Sequence, residues 1–210
     1  MHASEATRID SHAAATLRYI RASMDAAASV AVPGSTAVVA GGIGLLAALI
    51  SSLPMMSAYW LVVWLLAAVV AASIGTVLLL RNSPAGAMTI SGSPVRKFAV
   101  CFLPAIAAGA VLTGVHWLNG EQQAIPGTWL LLYGCALMAA SAATLALIGF
   151  VGGGFFILGV LALLVPVQLH ILLLGLGFGA LHILLGYLIG RAGNGAGAEQ
   201  LRKQRPRGKG

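Results

Sequence analysis

The chain has 210 residues, 59% hydrophobic and 8% charged, with a formal net charge of +7. A soluble domain of ordinary composition carries about 25% charged residues, so this composition excludes a water-soluble globular domain and names lipid as the solvent. A hydrocarbon core of about 30 Å takes roughly 20 apolar residues per helix, and six such spans leave room for tails and short loops but not for a second soluble domain.

Residues 1–34 form a polar lead-in segment. From His12 to Val30 the apolar residues Leu17, Ile20, Met24 and Ala27 or Ala28 recur at helical spacing, and Arg18, Arg21 and Asp25 lie off that line. The pattern predicts a short amphipathic helix at the membrane interface. It is not a cleavable signal peptide, which needs a basic stretch followed by an apolar core. Val32-Pro33-Gly34 ends it.

The transmembrane bundle is predicted over 35–190, with spans at about 35–53, 58–80, 98–118, 128–148, 150–167 and 169–190. Pro54 turns the chain between the first two spans, and Tyr59, Trp60 and Trp64 sit at the interface end of the second. Arg81, Arg96 and Lys97 bound the longest internal loop, and Pro104 interrupts the third span. The loop after it carries Glu121 and no basic residue. Segments 150–190 admit a second reading as a shallower re-entrant hairpin lined by protein. Residues 191–210 form a basic tail with Arg202, Lys203, Arg205, Arg207 and Lys209.

All twelve Lys and Arg residues fall outside the spans, and one threading places them on a single side. The positive-inside rule then puts both termini in the cytoplasm. The basic tails are read as orientation signals that attract anionic lipid, not as a nucleic-acid surface. The expected partners are the bilayer and a second copy or another membrane protein.

No span contains Asp, Glu, Lys or Arg, so an intramembrane ion or proton site would have to use histidine. His182 lies deep in the sixth span. Gly175, Gly179, Gly186 and Gly190 share its face at steps of three and four, a small-residue stripe that lets helices approach closely. Ser141 falls at a similar depth in the fourth span, and Ser141 or a backbone carbonyl is the expected hydrogen-bond partner of His182. The pair is the candidate intramembrane polar site, read first as interhelical glue and second as a solute or proton site. No catalytic constellation and no cofactor motif is present. His116, Glu121 and His170 gather toward the outer mouth without metal-ligand spacing. Cys101 and Cys135 are expected to be free, buried thiols, too far apart for a disulfide.

Ala31-Val-Pro-Gly-Ser35 and Ala124-Ile-Pro-Gly-Thr128 echo each other, with Gly41 and Gly134 at the same offset. This suggests either an inverted repeat of three spans or convergent use of Pro-Gly to start a helix. At Thr16-Leu-Arg-Tyr-Ile-Arg21, Val32-Pro-Gly34, Arg96-Lys-Phe98, Pro126-Gly-Thr-Trp-Leu-Leu-Leu-Tyr-Gly134 and Leu181-His-Ile183 the chain resembles a group of small bacterial integral membrane proteins that carry no assigned activity. The resemblance implies an inner-membrane protein of about six spans. The fold expectation is therefore an all-α polytopic bundle, and the functional expectation is a non-enzymatic accessory, sensory or structural protein, with a small transporter or channel for a neutral or weakly basic solute as the alternative.

Overall fold

Long apolar runs without charge satisfy their backbone bonds only internally, and each becomes a helix. The computed structural model describes residues 16–17, 34–82, 94–142 and 144–191, and among these every regular element is helical. The elements are α1 (Gly34–Ser51), α2 (Trp60–Asn82), α3 (Pro94–Leu118), α4 (Ile125–Ser141), α5 (Ala146–Leu164) and α6 (residues 170–191). Short 3-10 turns at Ser57–Tyr59, Gln122–Ala124 and Val167–Leu169 lead into α2, α4 and α6. Among the described residues six helices are long and apolar enough to cross a membrane, including those at Ala146–Leu164 and Val167–Arg191 in the region that admitted a re-entrant reading. The expected interfacial helix and the C-terminal tail lie outside the described residues, except that Thr16 and Leu17 are helical.

Successive helices run antiparallel. Gly120, at φ +73°, ends α3: its own N–H bonds Trp117 and the Glu121 N–H bonds His116, the paired closure of a glycine-terminated helix. Val165 is held extended by Pro166, which stops α5. The turn between α4 and α5 falls earlier than expected. It falls between Ser141 and Ala146, so α4 ends at Ser141 rather than near 148 and α5 begins at Ala146 rather than at 150. The Ser141 hydroxyl donates to the Met138 carbonyl at 2.6 Å and the Thr144 hydroxyl to the Ala140 carbonyl at 2.8 Å, which satisfies the last turn of α4 without glycine, proline or charge.

The core lies between α1, α4, α5 and α6, around Leu130, Leu137, Ile148, Phe155 and Leu185. Two glycine seams bring these helices together. In one, a Cβ on Gly34 would lie 2.5 Å from the Gly186 carbonyl and one on Gly41 2.7 Å from the Gly179 carbonyl. In the other, a Cβ on Gly134 would lie 2.7 Å from the Gly152 carbonyl and one on Gly159 2.6 Å from the Leu131 amide. Only glycine permits these backbone approaches. Both seams use glycines seven apart on each helix, Gly34 and Gly41 with Gly179 and Gly186 in the first and Gly127 and Gly134 with Gly152 and Gly159 in the second, so the Pro-Gly echo extends to packing. It does not extend to partner choice, because the first seam joins α1 to α6 and the second joins α4 to α5.

α2 and α3 are peripheral. α2 leans on α1 and α3 on α4. No residue in the apolar window of α2 is buried, although its mean hydropathy is 2.5. A helix apolar all round has no solvated side and needs an apolar surrounding.

Candidate functional site

His182 is buried, with 6% of its surface exposed, and is polar in an apolar core. Its partner is Tyr133 on α4: the Tyr133 hydroxyl lies 2.6 Å from His182 Nε2. With the hydroxyl donating to Nε2, the ring proton sits on Nδ1. Nδ1 lies near the carbonyls of Gly177 and Phe178 but makes no hydrogen bond of good geometry. Aromatic rings wall the pair. Phe155 stands edge-on to the imidazole at 5.2 Å between centroids, Phe178 stacks nearly parallel at 6.1 Å, and Tyr133 contacts both phenyl rings at 4.8 and 5.0 Å.

A π-helix sets this geometry. Residues Gly175–Leu181 of α6 form one, and His182 follows it directly. The wider turn breaks the regular 3.6-residue line on which His182 and the glycines were expected to share a face. Gly175, Gly179 and Gly186 face α1, where a Cβ would meet Ala48, Leu45, and Gly34 with Val38 respectively. Gly190 departs from the expectation, since a Cβ there has nothing within 4 Å. His182 instead faces α4 and α5, on the side of Gly177, whose Cβ would meet Leu130 and Phe155.

Ser141 does not join His182. It sits at the end of α4, its hydroxyl bonded to Met138, and fills the space opposite Gly149. The cause is the earlier turn, which moves Ser141 from mid-helix to the helix end. Sequence reasoning gives Tyr133 no role of its own, although it stands within the stretch Pro126–Gly134. The signal that points to it is its position eight residues into α4, away from the helix ends where Tyr59, Trp60 and Trp117 sit. A tyrosine that far inside needs a partner for its hydroxyl.

The end of the bundle where α3 stops and α4 starts carries a second polar group. His116 Nδ1 lies 3.2 Å from the exposed Glu121 carboxylate, and Thr128 is 3.3 Å from Nε2 and 2.9 Å from the Ala124 carbonyl. Nearby, the Trp129 indole N–H donates to Thr113, which in turn donates to Gly109, both at 2.8 Å. His170 does not join them; its Nε2 donates to the Val165 carbonyl at 3.3 Å. Among the described residues no three His, Cys, Asp or Glu side chains converge as metal ligands. The cysteines are free, but neither is buried: Cys101 is half-buried and Cys135 is exposed on α4.

The chain matches no protein-family model, no curated protein and no solved structure.

Proposed function

We propose that this chain is a multi-pass bacterial inner-membrane protein with both termini cytoplasmic, and that its role is accessory, sensory or structural rather than catalytic. The observation that carries this reading is the enclosure of His182. Its imidazole is bonded across helices to Tyr133 and walled by Phe155 and Phe178. Such a histidine fastens three helices together and offers no route for a solute. The four Lys and Arg residues among those described, Arg81, Arg96, Lys97 and Arg191, all fall at the end of the bundle where α1 starts, which supports a cytoplasmic placement of that end. The surrounding partners are lipid, with anionic lipid at the basic end, and a second copy or another membrane protein.

A second reading is a small transporter or channel for a neutral or weakly basic solute with His182 near its path. One observation favours it: Nδ1 is buried without a bond beside a π-helix, and π-helical turns recur at functional sites. Paired measurements of detergent stability and of the phenotype of a deletion strain separate the two. Under the leading reading, a folded His182→Leu variant complements the deletion in full. A His182→Asn variant that folds normally but fails to complement would reject that reading in favour of the second.

A further inference from the structure

Residues 119–124 join α3 to α4, and the His116 side chain bonds to both sides of that link. Its Nδ1 lies 3.2 Å from the Glu121 carboxylate, within the link, and its Nε2 3.3 Å from the Thr128 hydroxyl, in the first turn of α4. A count of protons sets the state of the ring. A carboxylate has none to give, so Nδ1 donates. A hydroxyl has one, and Thr128 directs it to the Ala124 carbonyl at 2.9 Å, the shorter of its two contacts. The Thr128 oxygen is left to accept, so Nε2 donates as well. An imidazole that donates from both nitrogens is a cation. A neutral ring keeps one of the two bonds, unless Thr128 withdraws its proton from Ala124.

We propose that His116 is a proton-operated clasp between α3 and α4, closed when the imidazole carries both protons and released on the Thr128 side when it carries one. The His116 side chain is 19% exposed, so solvent protons reach it. Among the described residues the link presents Glu121 to the ring and α4 presents Thr128, which does not titrate. Tyr59, before α2, lines a cavity with Trp117. Arg96 stands at the other end of α3, roughly 30 Å away at the helical rise of about 1.5 Å per residue. A partner gained by the protonated form stabilises the fold at low pH, and that contribution is lost as pH rises through the range in which histidine titrates. His116 is followed by Trp117 and Glu121 by Gln122, and these two line the cavity of about 210 Å³ with Tyr59 and Trp60, so the clasp also holds two of its walls. In the proposed topology this end faces outside, where pH follows the medium; the clasp rests on that reading for its use as a sensor, not for its chemistry.

A double-mutant cycle of His116→Leu and Thr128→Val tests the clasp, read by unfolding of the full chain in mixed detergent at about pH 5 and about pH 8, either side of the histidine range. At the lower pH the pair should contribute about two- to fivefold in the unfolding constant, the size of a partly exposed charged contact. At the higher pH it should contribute nothing. The other histidines titrate in all four proteins and cancel. Thr128→Ser keeps the hydroxyl and should keep the coupling. Nitrogen-15 spectra of the wild-type histidine rings, with His116 assigned from the backbone, give a second readout that needs no variant. Both ring nitrogens should be protonated at the lower pH, and the proton that survives at the higher pH should sit on Nδ1. Absent coupling at the lower pH, equal coupling at both, or a neutral ring protonated on Nε2 would each overturn the proposal. The sensory reading fails separately: a His116→Leu strain that matches wild type at both pH values rejects that use, whatever the cycle shows.

Discussion

Tyr133 and His182 each carry a polar group that an apolar core penalises, and each relieves the other. Removing one leaves its partner buried and unpaired, so the single variants overstate the bond and a double-mutant cycle isolates it. Tyr133→Phe and His182→Leu should couple by about 0.6 kcal/mol and by no more than about 1.7, the range of interhelical hydrogen bonds between membrane helices. Unfolding of the four proteins in mixed detergent measures this, and zero coupling would mean the 2.6 Å contact contributes nothing. His182→Asn keeps a donor and an acceptor but is shorter, and should cost less stability than His182→Leu. The burial of His182 was legible in the sequence, from a histidine within an apolar run flanked by glycines. Its partner was not. Ser141 looked equally deep only because the α4–α5 turn was placed seven residues late, and that turn is made by two hydroxyls bonding back to carbonyls, which leaves no glycine, proline or charge to mark it.

The helices themselves follow from run length, while their contacts depend on where glycine falls. Gly179→Leu and Gly186→Leu insert side chains where a bare Cβ already meets Leu45 in one case and the Gly34 carbonyl in the other. Each should lower stability by about 1–3 kcal/mol or prevent folding, as overpacking does. Leu172→Ile, at an exposed position, and Gly190→Leu, into open space, should be nearly neutral. A thermal shift series in detergent checks the order, and an equal loss at Gly190 and Gly186 would contradict it. The stripe was readable from spacing in its central members. Its end at Gly190 and the rotation of His182 away from it were not, because a π-helix changes the register and no residue type announces one. The second seam went unread for another reason. In the run Gly152-Gly153-Gly154, Gly152 is a contact point for Gly134 and Gly153 meets nothing, a difference that composition does not reveal.

At the scale of the molecule, four helices form a glycine-seamed core, with α2 and α3 resting on its outside. Large apolar side chains such as Leu66 and Leu103 stand exposed on these outer helices. Transfer of apolar surface from water contributes about 25 cal/mol per Å², so a bilayer around the bundle removes a cost that no rearrangement within the chain could. The proposed topology has six spans crossing a membrane with the basic end inside. Reporter fusions after residues 55, 90, 122 and 205 test it most directly, since a phosphatase is active outside and a fluorescent protein inside. The predicted order is outside, inside, outside, inside. An external signal at 90 or 205, or a soluble active fusion at every site, would contradict it.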